Sequence, residues 1–139
     1  MKTEVIDIFT DGATVGKNGK LGTVKEVAIG VWIPLLKKGY GKRLPGMSNN
    51  EAEFQALING MKLAIMLGFK FVSFYMDSKI ICNRANGMIP KKAKFKNERM
   101  DYFQKKVLNF SKAFDFVEFN WIPREKNAKA DEISKYYCK

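Results

Sequence analysis

The sequence contains no histidine, and its only two cysteines, Cys82 and Cys138, lie far apart in the chain. The lack of histidine excludes Ser-His-Asp and Cys-His catalysis, and the lack of a Cys-x-x-Cys pair also excludes zinc fingers. We expect Cys82, which lies in an apolar run, in the core and Cys138 at the surface. One cysteine pair gives little support for a disulfide in an intracellular chain. Catalysis by this chain must therefore use other side chains.

Long apolar runs are also missing. No stretch approaches the roughly 18–20 apolar residues of a membrane span, and the N-terminus lacks the apolar region of a secretory signal. We therefore expect a soluble, cytoplasmic chain. Its 139 residues suit a single domain, 1–139. Hydrophobic residues make up 46% and charged residues 28%, which argues against global disorder.

Acidic residues are few relative to basic ones. Fourteen Asp and Glu oppose 25 Lys and Arg, which gives a formal net charge of +11. Basic residues concentrate between residues 91 and 106, where aromatic residues are interleaved. Such a surface is typical of nucleic-acid-binding proteins when the charge clusters on one face. A solvated basic surface, an acidic partner protein and a membrane surface are the alternative interpretations.

Hydrophobic periodicity and turn residues predict a mixed α/β domain. Strands are predicted at residues 5–10, 27–33, 35–44, 71–76 and 114–122. A long helix is predicted from the capping residues 48–50 to Gly68, with further helices at residues 77–86, 97–110 and 127–137. Residues 11–20 are predicted to form a loop or hairpin turn. A strand, a long helix and a strand in succession favour a parallel pair, so we expect a mixed sheet with helices on both faces.

Four acidic residues occupy positions that are unusual for surface carboxylates. Asp11 and Asp77 each follow a predicted strand, and parallel pairing of those strands would bring both to the carboxyl edge, where α/β sheets bind ligands. Glu53 falls on the apolar stripe of the long helix, where an unpaired carboxylate is unfavourable. Asp131 lies among small residues of the last helix. Taken singly, Asp11 also suits a turn, Asp77 a helix N-cap and Asp131 an ordinary surface position.

Four carboxylates that converge on one sheet edge require positive charge between them. Mg²⁺ is the natural partner, because it takes carboxylate, water and phosphate oxygens as ligands, and Mn²⁺ also suits oxygen ligands. Two such ions about 4 Å apart can stabilise the attacking and leaving oxygens of a phosphodiester. The joint pattern therefore predicts a divalent-metal site for phosphoryl chemistry.

Four blocks of sequence carry a resemblance to a known family. They are residues 8–13 (IFTDGA), 48–57 (SNNEAEFQAL), 76–79 (MDSK) and 122–132 (IPREKNAKADE). In this order and spacing they resemble the type 1 ribonuclease H family over nearly the whole chain. The resemblance implies a ribonuclease H-like α/β fold. Its sheet would have five strands in the order 3-2-1-4-5, with strand 2 antiparallel.

The resemblance implies an endonuclease that hydrolyses the RNA strand of RNA–DNA hybrids and leaves 5′-phosphate and 3′-hydroxyl ends. It implies two bound Mg²⁺ ions, for which Mn²⁺ can substitute, and a monomer with no obligate protein partner and no membrane. The residues implied as the metal-binding catalytic set are Asp11, Glu53, Asp77 and Asp131.

Further positions match nucleic-acid contacts of the family. Asn49 and Asn50 match residues that read the minor groove, where the 2′-hydroxyl distinguishes RNA from DNA. Ser48 matches a position that holds a DNA phosphate, although Ser48 and Asn49 also suit helix capping. The glycine-rich segment 12–22 lacks the Ser or Thr of a P-loop, so it implies no nucleotide site. Its backbone amides, beginning with Gly12, remain candidate phosphate contacts.

The chain departs from the family pattern in two places. Many members carry a histidine before the last catalytic acid, whereas here that loop is short, and Arg124 and Glu125 are the nearest candidates for a product-release or accessory role. The segment after Gly87 is also short, which indicates the form of the family that lacks the basic protrusion. The candidate phosphate contacts in this segment are Lys91, Lys92, Lys94 and Lys96.

Three alternatives remain open. Another nuclease of the same fold, such as a resolvase or a 3′-5′ exonuclease, also uses four carboxylates but lacks the Asn-Asn pair. A catalytically weak or inactive hybrid-binding module would keep the fold without cleavage. The third alternative is a domain excised from a reverse transcriptase, although a methionine ten residues before Asp11 favours a free-standing protein.

Overall fold

The structure is a computed structural model, and it describes residues 4–16, 26–46, 48–88 and 98–138. Its strands are β1 (Ile6–Val15), β2 (Glu26–Ile33), β3 (Lys38–Pro45), β4 (Phe71–Met76) and β5 (Phe116–Trp121). Its helices are α1 (Asn49–Met66), α2 (Lys79–Ala85), α3 (Glu98–Ser111) and α4 (Ala128–Tyr137). Short 3-10 turns at Pro34–Leu36 and Arg124–Lys126 precede β3 and α4.

The five strands form one mixed sheet in the order β3-β2-β1-β4-β5. β2 is antiparallel to both β1 and β3, whereas β1, β4 and β5 run parallel to one another. This order and the direction of each strand confirm the predicted fold. Met76 and Trp121 form the last pair between β4 and β5, so both strands end at the same edge of the sheet.

Helices cover both faces of the sheet. α1 packs on β1 and β2 and also contacts α2 and α3, while α4 packs on β1, β2 and β3 from the other side. β2 is consequently buried along almost its whole length, although a one-sided sheet would bury only alternate residues. The large side chains of the core, such as Phe54, Phe74 and Leu57, lie between the sheet and α1.

Helix α1 begins and ends as its sequence predicts. The Ser48 hydroxyl accepts a hydrogen bond from the backbone N–H of Glu51, at 3.1 Å, and so caps the first turn. At the other end Gly68 adopts a left-handed conformation, with φ of 81°. The N–H of Gly68 donates to the carbonyl of Ile65, and that of Phe69 donates to Ala64, which closes the helix with a Schellman motif.

β1 is longer than predicted, and the prediction of a turn at Asp11 was wrong. The strand continues to Val15 because residues 9–15 pair with β2, and Asp11 lies opposite Gly30. Its pairing with β4 stops earlier, at Phe9 and Tyr75. Asp11 therefore lies within a strand but beside the point where the neighbouring parallel strand ends.

Smaller differences concern the ends of other elements. β3 begins at Lys38, three residues later than predicted, because Pro34 starts a 3-10 turn. α2 begins at Lys79, and its N-cap is the hydroxyl of Ser78 and not the carboxylate of Asp77. Cys82 is buried as predicted, whereas Cys138 is half-buried, and both thiols are free. Among the described residues, no helix is long and apolar enough to cross a membrane.

Candidate active site

Three of the four predicted carboxylates meet at the carboxyl edge of the sheet. Asp11 lies on β1 where its pairing with β4 has ended, Asp77 follows the last residue of β4, and Glu53 lies in the first turns of α1. One carboxylate oxygen from each of the three lies within 4.8 Å of the other two. We call these three residues the acidic cluster.

Glu53 is held against β1 by the neighbouring glycine. The backbone N–H of Gly12 donates a hydrogen bond to Glu53 Oε1, at 2.6 Å. A Cβ atom at position 12 would lie 2.2 Å from the carbonyl oxygen of Ala52. Only glycine therefore lets the start of α1 approach β1 closely enough to place Glu53 beside Asp11.

Asp131 faces the same cavity from α4, but it lies outside the acidic cluster. The cavity has a volume of about 270 Å³. It is lined by Asp11, Gly12, Ala13, Asn49, Glu53, Asp77, Arg124, Asp131 and Lys135. Lys135 Nζ lies 3.0 Å from Asp131 Oδ2, and Arg124 Nη2 lies 3.9 Å from Asp131 Oδ1. Among the described residues, the ion pairs at this site both involve Asp131.

Two polar residues of the site were missed by the sequence analysis. Asn127 is 1% exposed, and its Nδ2 donates to the Thr10 carbonyl and to Asp77 Oδ2, at 2.9 Å in each case. Ser134 is fully buried, and its hydroxyl lies 3.2 Å from Asp11 Oδ2. These contacts join α4 to β1 and to the end of β4.

A sequence signal for these contacts existed. Asn127 precedes Asp131 by four residues and Ser134 follows it by three, so all three share one side of a helix. That side also carries Ala130, which is fully buried. Polar side chains beside a buried alanine indicate partners in the interior, although the sequence does not identify them.

The electrostatics of the acidic cluster are unfavourable when all its members are ionised. Burial raises the pKa of Asp11 to about 6, and the charges of Asp77 and Asp131 act in the same direction. Burial, followed by the hydrogen bond and charge of Asp11, raises the pKa of Glu53 even further. Asp131 differs: burial acts to raise its pKa, but its hydrogen bonds with Lys135 and Asp11 and the charges of Lys135 and Arg124 together lower it.

This arrangement suits a divalent cation. Hard ions such as Mg²⁺ and Mn²⁺ prefer carboxylate oxygens, and the three oxygens of the acidic cluster are close enough to share one. Burial is the main cause of the raised pKa values of Asp11 and Glu53, and a cation among them would offset the charge repulsion that adds to it. The donor set therefore fits the predicted metal chemistry.

Only some of the residues predicted to contact nucleic acid line the cavity. Asn49 lines the cavity, whereas Ser48 and Asn50 are exposed beside it. Gly12 also lines the cavity, but its N–H already donates to Glu53. The two accessory candidates both lie on the 3-10 turn before α4. Arg124 lines the cavity, whereas Glu125 is exposed and does not line it. The four lysines at positions 91, 92, 94 and 96 lie outside the described residues.

The model of a family described as reverse transcriptase-like matches residues 27–137, which is most of the chain. The chain belongs to this ribonuclease H-like family. The solved structure of LC11-RNase H1 in complex with an RNA/DNA hybrid is 30% identical, with a TM-score of 0.75, and 94% of each chain is covered.

Two further relatives extend the comparison within the ribonuclease H-like family. RNase H1 of Halobacterium salinarum shares the fold with a TM-score of 0.77 at 20% identity, and 96% of this chain and 97% of that one are covered. The bifunctional protein Rv2228c of Mycobacterium tuberculosis is 31% identical over 87 residues, which cover 63% of this chain. That match spans only 23% of the relative's length. The comparisons confirm the predicted resemblance to the type 1 ribonuclease H family.

Proposed function

We propose that this chain is an endonuclease that hydrolyses the RNA strand of RNA–DNA hybrids. The observation that carries the proposal is the acidic cluster, whose three carboxylates lie within 4.8 Å of one another in an open cavity. The likeness to LC11-RNase H1, which was solved with an RNA/DNA hybrid, supports the choice of substrate.

Asp11, Glu53 and Asp77 would hold one divalent ion, and Asp131 would complete the site of a second ion across the cavity. When bound, two such ions supply charge stabilisation for the attacking water and for the leaving oxygen of a phosphodiester. The protein fixes the carboxylates through the Gly12 N–H and Asn127 Nδ2, so little reorganisation is needed on ion binding. Following the family, the products carry 5′-phosphate and 3′-hydroxyl ends.

We propose that residues at the start of α1 select the substrate. Asn49 lines the cavity and Asn50 is exposed, so both amides are accessible to a bound nucleic acid. Amide groups donate and accept hydrogen bonds, as do the 2′-hydroxyls and base edges of a minor groove. Ser48 is occupied as the helix cap through its acceptor lone pair, and its hydroxyl proton stays available to a DNA phosphate.

The proposal is tested with four end-labelled duplexes or strands incubated with the wild-type chain. The substrates are an RNA–DNA hybrid, duplex RNA, single-stranded RNA and duplex DNA, each with Mg²⁺, with Mn²⁺ and with EDTA. We expect metal-dependent internal cuts confined to the RNA strand of the hybrid. Equal cutting of duplex DNA would assign the chain to another nuclease class. Hybrid binding without cleavage in either metal would assign it to the binding modules.

A further inference from the structure

Lys135 places a positive charge in a cavity that is lined by four carboxylates. It lies one helical turn after Asp131 on α4, and its ammonium group is 3.0 Å from Asp131 Oδ2. It lines the same cavity as the acidic cluster. Asp131 also faces Arg124, so this carboxylate already has two positively charged neighbours.

The four carboxylates therefore differ in whether a positive side chain lies beside them. The three of the acidic cluster face one another and lack a neutralising charge among the described ion pairs, which makes them a strong cation site. The fourth is paired with Lys135, and a metal ion that uses Asp131 competes with the Lys135 ammonium for this carboxylate. This competition weakens metal binding at Asp131 by the free energy of the Lys135–Asp131 ion pair that is lost.

Resting on the function proposed above, we propose that Lys135 is a positioning residue that sets the order and affinity of ion binding. The acidic cluster would hold the tighter ion, and Asp131 would hold the weaker one, because Lys135 competes for its carboxylate. Lys135 thus keeps the two ion sites unequal in affinity.

The pair is partly solvated, which limits the size of the effect. The side chain of Lys135 is 63% exposed and that of Asp131 is 20% exposed. Exposed ion pairs of this kind correspond to a change of about 2- to 5-fold in an equilibrium constant. We therefore expect Lys135→Met to tighten binding of the weaker ion by about 2- to 5-fold and to leave the stronger ion unaffected.

The test is calorimetric titration of Mn²⁺ into the full metal-free chain, without nucleic acid, with electron paramagnetic resonance to count bound ions. Lys129→Met is the matched control, because Lys129 lies on the same helix, with its ammonium 5.4 Å from the centre of the Trp32 ring and outside this cavity. Lys135→Arg keeps the charge and should keep the weaker affinity of the wild type. Circular dichroism confirms that each variant is folded.

The outcomes separate this inference from the proposed function. Tightening of the weaker ion in Lys135→Met alone supports it. Identical affinities in the wild type and Lys135→Met, or equal shifts in Lys135→Met and Lys129→Met, overturn it. If the wild type binds a single ion, Lys135→Met must reveal the second, and failure to do so also overturns it. Ion binding without any cleavage of hybrid contradicts the proposed function instead, and a wild type that binds no Mn²⁺ contradicts both.

Discussion

At the scale of single residues, Asp11 combines burial with negative neighbours. Burial raises its pKa to about 6 in the folded chain, compared with about 3.9 in an unfolded one. The folded state therefore holds this proton more tightly. The resulting stabilisation is complete below about pH 4 and is lost as the pH rises to about 6.

Replacement of this carboxylate should stabilise the metal-free chain in a pH-dependent way. We expect Asp11→Asn to match the wild type near pH 4 and to gain about 2–3 kcal/mol in free energy of unfolding at pH 7, measured by urea denaturation in EDTA. Asp115→Asn is the control, because Asp115 is exposed just before β5 at the opposite edge of the sheet. Equal stability of Asp11→Asn and the wild type at pH 7 would show that the cluster is not electrostatically strained.

Asn127 is the second residue on which the site depends. Its Nδ2 donates to both the Thr10 carbonyl and Asp77 Oδ2, and replacement by alanine removes this donor from the buried carbonyl and from the half-buried carboxylate. Each unpaired buried group costs about 1–3 kcal/mol, so we expect Asn127→Ala to lose about 2–4 kcal/mol in urea denaturation and to cleave hybrid more slowly. Asn59→Ala is the control, since Asn59 is half-buried on α1 and donates to the Gln55 carbonyl within its own helix. A similar small loss of unfolding free energy in both variants would show that Asn127 does not support the site.

At the scale of elements, the position of α4 depends on glycines in the sheet beneath it. A Cβ atom at Gly30 would lie 2.3 Å from the Ala130 carbonyl oxygen and 2.7 Å from the Ser134 nitrogen. Both contacts are with helix backbone, so the whole helix must shift to accommodate a methyl group. Because α4 carries Asp131 and Ser134, such a shift would also displace the site.

Gly30→Ala and Gly39→Ala provide a graded test of this packing. A Cβ atom at Gly39 would lie 2.4 Å from Cδ1 and 3.1 Å from Cγ1 of Ile133, a side chain that can rotate away, and in ordinary contact with the Trp32 ring, at 3.6 Å. Overpacking of a rigid contact costs about 1–3 kcal/mol. We expect a loss of that size in the free energy of unfolding for Gly30→Ala, with weaker Mn²⁺ binding, and a smaller loss for Gly39→Ala. The reverse order of stability would contradict the packing of α4 on β2.

The elements also show which features the sequence makes predictable. The bounds of β4, Phe71–Met76, were predicted correctly because an apolar run lies between Gly68, which ends the helix, and Asp77. A short continuous apolar run of this kind is typical of a parallel strand that is buried on both faces. The extension of β1 through Asp11 was missed because Asp-Gly favours a turn locally, and pairing with β2 overrides that preference.

The sequence makes the acidic residues of the candidate site predictable, but not the polar groups that hold them in place. Glu53 is conspicuous as a carboxylate on an apolar stripe, and Asp11 and Asp77 as acids at the predicted ends of parallel strands. Asn127 contacts a carbonyl 117 residues away, and such a partner follows only from the relative placement of α4 and β1. The pairing of Lys135 with Asp131 looks like an ordinary i,i+4 ion pair until the cavity beside it is known.

At the scale of the whole molecule, an acidic site lies in a chain with a net charge of +11. Binding of a polyanion to such a chain releases counterions, so its affinity falls with salt. For Asp77→Asn, which should bind hybrid without cutting it, we expect log Kd to rise with log salt with a slope of about 3 or more. Fluorescence anisotropy at several salt concentrations measures this slope. An affinity independent of salt would exclude the basic surface as the binding face.

The central claim is that the acidic cluster performs metal-dependent cleavage of the RNA strand, and single-turnover cleavage of one labelled hybrid tests it most directly. The wild type, Asp77→Asn and Asp115→Asn are compared in Mg²⁺, since both variants gain the same unit of positive charge. We predict a loss of about a thousand-fold or more for Asp77→Asn, because each tenfold step corresponds to 1.36 kcal/mol and metal ions stabilise such transition states by several kcal/mol. Asp115→Asn should stay within about twofold of the wild type, as expected for a surface change remote from the site. Comparable cleavage by Asp77→Asn and the wild type would contradict the account.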